Sequence, residues 1–557
     1  METNENKPSG EDIFRRMREQ FSKKKPKTTT IRKRGLPMWG LVLLTLAVLF
    51  LVFYFTLPSL SPQGLGLYLF LGGGILLFLL LWFLLGKRTP GWREAKTIVL
   101  LVIALIGIPA LLSLFSGPFF HAKAYSRLID VEQGVFSEDI QRISISQVPI
   151  VDRETAGIIG EKQMGSMAEL VSQFEIDENY AQINIGGKPV RVSPIKYFDI
   201  IKYLSNFRDG LQYYVSVDMT NQEGDLVKLE QPIFYSSSDF LFRNIHRKIR
   251  FSYPFHLLGE TNFEVNDEGE AYYVTPILTK RIFFFGGLDA KGAILTNANT
   301  GESRAYDTAD MPDWVDRVYP SEIIMQQLDA RGMYQGGFLN SVFGQKNVTK
   351  TTDGYNYISL DTDINLVTGV TSVRADTSNL GFYYVNLRTK EAKFYAVPSA
   401  TEEAAMSSAK GAVQEKNYDP TFPVLLNLSG NPVYFMSLKD DANVAKLYAL
   451  VDAEDFTKVI VKDTVPAAMQ TYAAGHTPAP DETGEAIEHT ITIASIREVV
   501  EDGNTVYYFL AEEDERVYRA LAKEIGPAIV FAEAGQRVDV SGIATEDVVI
   551  VQSFLVR

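Results

Sequence analysis

The chain has no cysteine in its 557 residues. That single absence excludes disulfides, thiolate nucleophiles and cysteine-ligated metal sites together. Histidine is scarce too: His121, His246, His256, His476 and His489 are scattered, with no His-x-x-x-His pair. No zinc site is expected from such spacing, and no cofactor is expected at all.

A third absence is local. From Met38 to Gly86 there is no Lys, Arg, Asp or Glu, and there is none from Thr97 to Ala122. A helix needs roughly 20 apolar residues to cross a bilayer. The first block therefore holds two spans, broken near Pro58-Ser59-Leu60-Ser61-Pro62, and the second holds one. They read as about 38–57, 64–86 and 97–117. With no ionisable side chain inside them, an ion or proton pathway has no residues to run on, so the spans are expected to anchor. Gly72-Gly73-Gly74 would let the second pack closely against its neighbours.

Charge that is missing from the spans is segregated on either side. Residues 1–97 carry 15 Lys+Arg against 6 Asp+Glu, whereas 98–557 carry 39 against 62. Nucleic acid is excluded as a partner of the acidic body, because phosphate binding needs a positive surface. The tail 1–37 combines an amphipathic stretch, with Ser9 as its N-cap and Ile13, Phe14, Met17 and Phe21 at helical spacing, with Lys23-Lys24-Lys25 before the first span. Arg15, Arg16, Arg18, Lys23, Lys24 and Lys25 are candidates for inner-leaflet lipid contact, although setting the topology already accounts for such charges. The 87–96 loop is basic and the 58–64 turn is uncharged. The positive-inside rule then places the N-terminus and that loop in the cytoplasm, and everything after about 118 outside. Trp39, Trp82 and Trp92 fall at the inner interface on this reading.

Beyond 118, Asp, Asn and Gly punctuate runs of Val, Ile, Tyr and Phe, which is hairpin chemistry. Helical stretches intervene around Ser193–Phe207, Pro320–Gly332 and Thr401–Gln414. The expected class is membrane-anchored α+β. An internal repeat organises part of it. Gly292, Asn297, Thr300, Glu302 and Tyr306 recur as Gly381, Asn386, Thr389, Glu391 and Tyr395, all at a spacing of 89. Two copies of one antiparallel-sheet-plus-helix unit are expected. The division is then 1–37 tail, 38–117 spans, 118–270 α+β domain, 271–380 and 381–463 repeat modules, 464–488 linker, and 489–557 barrel. The last region shows strand-like runs at 490–500, 505–511, 515–521, 537–544 and 548–556, with Ile525–Ala532 between the third and fourth. That order suggests an OB-type barrel. It carries 6 basic against 13 acidic residues over 488–557, which argues against an oligonucleotide ligand.

The repeat layout resembles the helix-on-sheet modules of the PepSY and cystatin type. Trp314-Val-Asp-Arg-Val-Tyr-Pro320, Phe343-Gly-Gln-Lys-Asn347, Asp353-Gly-Tyr-Asn-Tyr-Ile358 and Asn379-Leu-Gly-Phe-Tyr-Tyr-Val-Asn386 also resemble an uncharacterised class of large membrane-anchored proteins of Gram-positive bacteria. The resemblance implies a place in the envelope and carries no activity.

Local motifs for chemistry fail on their own terms. Ser407-x-x-Lys410 has the spacing of a lysine-activated serine, but lacks the companion Ser-Asp-Asn and Lys-Thr-Gly elements. Asp361, Asp363 and Asn365 have calcium-loop spacing, but Leu366 stands where Gly is required and Ser372 where Glu is required. Glu512 to Glu515 reads as a solvated turn. Arg243, Arg247, Lys248 and Arg250 form one basic cluster in an acidic body, a candidate contact for an anionic partner or else a solvated face. The expected function is binding or scaffolding at the bacterial cell envelope, through membrane lipid and an envelope protein or wall polymer, with self-association left open. The alternative is an envelope enzyme, a wall or peptide hydrolase, whose site forms no local motif.

Overall fold

The computed structural model describes residues 35–140, 148–360, 363–374, 378–428, 430–475, 485–501, 504–512, 516–525, 527–544 and 548–556. The tail with Arg15, Arg16, Arg18, Lys23, Lys24 and Lys25, its amphipathic stretch, His476, and Glu513 to Glu515 lie outside the described residues.

Three helices are long and apolar enough to cross a membrane: α1 (Met38–Thr56), α2 (Leu65–Leu85) and α3 (Trp92–Phe115). Helix α3 starts ahead of the expected span. Glu94 accepts from the Gly91 N–H at 2.8 Å and satisfies an orphan donor, so the polar residues 92–96 are helical rather than loop. The glycine triplet is a packing device. A Cβ on Gly72 would meet Ile106 of α3 at 2.9 Å, and one on Gly74 would meet Leu49 of α1 at 2.9 Å. Trp82 is buried among these helices, whereas Trp39 and Trp92 are exposed.

After α3 comes α4 (Pro118–Tyr125), and then a series of sheets, each built on a four-stranded antiparallel meander with short strands added beside it. Sheet one is β1 (Ala181–Ile185), β2 (Lys188–Tyr197), β3 (Leu211–Asp218) and β4 (Gly224–Ile233). Helix α5 (Ile200–Asn206) bridges β2 and β3, and α6 (Ile245–Ser252) follows. Sheet two is β5 (Asn262–Val265), β6 (Ala271–Ile282), β7 (Gly286–Asn297) and β8 (Ser303–Asp307), followed by α7 (Ser321–Tyr334). Sheet three is β9 (Asn356–Leu360), β10 (Asp363–Ser372), β11 (Ser378–Asn386) and β12 (Ala392–Tyr395), followed by α8 (Glu402–Ala412). Sheet four is β13 (Val424–Leu428), β14 (Asn431–Lys439), β15 (Ala445–Asp452) and β16 (Val459–Lys462), followed by α9 (Val465–Gly475).

The 89-residue repeat is thus part of a fourfold one. Asn297 and Asn386 end the third strands of sheets two and three, and their turns match bond for bond. Asn297 Oδ1 accepts from the Asn299 and Thr300 N–H groups, and Asn386 Oδ1 from those of Arg388 and Thr389. The left-handed position is Gly301 (φ 70°) in one and Lys390 (φ 68°) in the other. Asp218 and Asp452 take the same place in sheets one and four, accepting from Thr220 and from Glu454 and Asp455.

Three expected boundaries change. The division at 380/381 falls inside one sheet, since Gly381 on β11 pairs with Val370 on β10. The helix expected over 193–207 is strand up to Tyr197; Ser193, Ile195 and Tyr197 alternate into the core, and only 200–206 is helical, capped by Asp199. The linker expected over 464–488 contains α9. Its alanines favour helix, and Val465, Ala468 and Tyr472 bury one face.

The sheets close a ring. Ala298 O joins sheets one and two by accepting from the Phe234 and Tyr235 N–H groups, and Leu387 O joins two and three by accepting from Val318 and Tyr319. The Tyr384 hydroxyl donates to Leu425 O between three and four. Gln222 donates to Tyr448 between one and four. The first strands of sheets one and two, and those of sheets three and four, approach each other.

The C-terminal barrel is β17 (Glu485–Glu501), β18 (Asn504–Ala511), β19 (Val517–Leu521), β20 (Arg537–Ala544) and β21 (Val548–Val556). It closes in the order β17-β18-β19-β21-β20, with β19 and β21 parallel, which is OB-type topology. Its core is its own, with Phe509 stacked on Tyr518.

Candidate functional site

Of the local motifs, Asp361 of the calcium-like spacing lies outside the described residues, and the described members make structural contacts. Ser407 and Lys410 are exposed on α8, and Lys410 pairs with Asp419. Asp363 receives the Arg388 Nε at 2.8 Å and Nη2 at 2.9 Å, with Asn386 at 2.7 Å, so its oxygens are occupied. Among the described residues no group of acids or histidines is placed to hold a metal ion.

The basic cluster divides in two. Arg243 Nη1 donates to Phe207 O at 2.7 Å and its guanidinium lies over the Phe234 ring, while Arg250 Nη1 donates to His256 O at 2.8 Å. Burial lowers the Arg250 pKa. These two hold the fold. Arg247 bonds Leu241 O and Lys248 lies over the Tyr235 ring; both remain half-exposed at the start of α6.

Beside them is an apolar surface. Asp199 caps α5 through the Ile201 and Lys202 N–H groups, which turns Ile200, Ile201 and Leu204 outward, 53%, 67% and 62% exposed. Tyr203, on the buried side, meets the Phe240 ring at 5.0 Å, which sets α5 against the 240–243 turn. There Leu241 adopts φ 54°, a left-handed conformation costly for a branched side chain, and is 67% exposed with Phe242 at 58%. Five exposed apolar side chains thus sit beside the cations of α6, which is the composition of an interaction surface.

A second feature lies where the first strands meet. Glu264 (β5) and Asp316 are buried together: the Asp316 N–H donates to Glu264 Oε2 at 3.3 Å, and Asp316 Oδ2 accepts from the Asn184 N–H of β1 at 2.6 Å. Burial raises both pKa values; repulsion by Asp316 adds to the rise at Glu264, and the Asn184 bond opposes it at Asp316. Arg317 donates to Tyr357 of β9 at 3.1 Å. Gln182, Asn184, Glu264, Arg317 and Ser359 each have a buried polar atom with no hydrogen-bond partner among the described residues. Polar atoms so placed call for ordered water. Nearby, Arg191, Tyr355, Tyr357 and Asp152 line a cavity of about 200 Å³; burial pulls the Arg191 pKa down to about 10.

Residue patterns point to neither feature. Glu264 is one acid in a short strand, and the α5 surface reads as an ordinary helix face. The only trace of the axial cluster is that Asp316, Arg317 and Tyr357 lie within two of the stretches that carry the Gram-positive resemblance.

No family model matches this chain, and no curated protein matches it. Among solved structures, a crystal structure of a B. megaterium levansucrase mutant aligns at 10% identity over 78% of this chain and 96% of that one, with a TM-score of 0.19. Likeness at that level carries no argument about fold or function.

Proposed function

We propose that this chain is a membrane-anchored binding or scaffold protein of the bacterial cell envelope, with a cytoplasmic N-terminus and an extracytoplasmic body of helix-on-sheet units of PepSY or cystatin character. The observation that carries the reading is the apolar surface of Ile200, Ile201, Leu204, Leu241 and Phe242 beside Arg247 and Lys248. A solvated face does not keep five large apolar side chains exposed without a partner. The cations select an acidic partner, an envelope protein or a wall polymer, while the acidic barrel suits a neutral or basic one.

The test is site-specific photocrosslinking in intact cells with the full chain. A crosslinker at Leu204 and at Phe242 should trap one common envelope adduct, absent with the crosslinker at Lys188 and lost on Arg247→Glu/Lys248→Glu. Adducts unrelated between the two positions would count against the reading. The hydrolase alternative draws on the buried acid pair beside Arg317. It requires that the purified full chain turn over a wall or peptide substrate and that Glu264→Gln abolish this.

A further inference from the structure

Helix α4 begins three residues after α3 ends at Phe115, so the chain keeps its start within about 10 Å of the end of α3. The junction is tied down. Ser116 Oγ accepts from the Phe285 N–H at 3.2 Å, the Tyr125 hydroxyl donates to Ser116 O at 3.0 Å, and the Gly287 N–H donates to that hydroxyl at 3.2 Å. The β6–β7 hairpin tip is thereby held against α4. Phe119 on α4 and Phe283 at the hairpin tip are each 61% exposed. Phe283 has φ 51° and stacks on His121 at 5.9 Å, an uncommon backbone state for an exposed aromatic. Phe119, four residues past the end of α3 in the chain, has a sequence position that suits the bilayer interface.

Between α4 and the hairpin opens a cavity of about 710 Å³ lined by Phe120, His121, Lys123, Arg127, Arg281 and Asp289 among others. Among the described residues Asp289 is its only lining carboxylate, and two cations already answer it: Arg281 Nε at 2.9 Å and Lys390 Nζ at 2.7 Å. Lys123 and Arg127 stand one helical turn apart, exposed, and pair with no carboxylate among the described residues. We infer that this cavity takes the phosphate headgroup of an anionic phospholipid, with Lys123 and Arg127 as its ligands and the phenylalanines seated at the acyl boundary. Charge and chain position select the lipid: Lys123 and Arg127, which pair with no carboxylate among the described residues, follow the end of α3 by 8 and 12 residues, and the end of a span meets a phosphate layer. The inference rests on α1 to α3 being membrane spans, and not on what the body binds.

The experiment is native mass spectrometry of the detergent-purified full chain, titrated with dioleoylphosphatidylglycerol, dioleoylphosphatidylcholine and glycerol 3-phosphate. One phosphatidylglycerol should be held at least tenfold more tightly than phosphatidylcholine. Lys123→Gln/Arg127→Gln should remove that preference, while Lys123→Arg/Arg127→Lys, which keeps the charge, should retain it at an unchanged melting temperature. Equal retention of the two lipids, or preference surviving the glutamine pair, overturns the inference. Displacement of the lipid by micromolar glycerol 3-phosphate would assign the cavity to a soluble phosphate and overturn it as well. If alkaline carbonate strips the full chain from membranes, the anchor reading fails with it; an integral chain without the preference defeats only the headgroup site.

Discussion

Asp239, in the segment before the exposed Leu241 and Phe242, ties the stability of the fold to the pH around it. It is 3% exposed, accepts from Ser236 Oγ at 2.6 Å, and has no partner for its second oxygen among the described residues. Burial lifts its pKa from 3.8 to about 7, with the Ser236 bond opposing the rise. The folded protein then holds this proton more tightly than the unfolded chain does. Stability is therefore lost as pH rises from about 4 to about 7, by about 1.4 kcal/mol for each pH unit crossed, and not further above that. Asp239→Asn should raise the melting temperature at pH 8 by several degrees and leave it nearly unchanged at pH 4. A gain of equal size at both pH values would show that the carboxyl's titration is not the cause.

At the scale of elements, the turn after each third strand is the repeated device. An acceptor oxygen on the γ-carbon, three bonds from Cα, is what the turn needs, and both Asn and Asp provide it. Asn297→Ala should therefore cost about 1–2 kcal/mol through two unsatisfied N–H groups. Asn297→Asp should stay within about 0.5 kcal/mol of the parent, as Asp218 and Asp452 do the same work in sheets one and four. Thermal melts followed by circular dichroism decide between these outcomes. The fourfold repeat was only half legible in the sequence for this reason. Asn297 and Asn386 are identical and 89 residues apart, whereas the outer copies use Asp and are separated from them by inserted helices and loops of other lengths.

At the scale of the whole molecule, three apolar helices divide a basic tail from an acidic body. The charge asymmetry around three spans argues for a body on the outside, and a chain without cysteine is convenient for testing it. Single cysteines at Ser59, Thr89 and Ser553 should divide in intact cells: an impermeant thiol reagent should label the first and last and spare the second. Labelling of position 89 alone would invert the topology. It would also move the proposed lipid site to the inner leaflet without altering its chemistry.

Properties that depend on neighbours in the chain were set by the sequence alone. The three apolar helices follow from uncharged length, the barrel strands from alternation, and the Asn297 and Asn386 turns from short-range hydrogen bonding. All are local, and each was readable from residue order. The candidate surfaces were not, because each is made by contacts between distant segments. Leu204 and Phe242 become one patch only when Tyr203 packs on Phe240. Glu264 and Asp316 become a buried pair only when sheets one to three meet. The cavity beside Lys123 opens only because Ser116 and Tyr125 clamp the chain to a hairpin some 160 residues further on. Burial and juxtaposition are properties of the ring, and tertiary structure alone decides them.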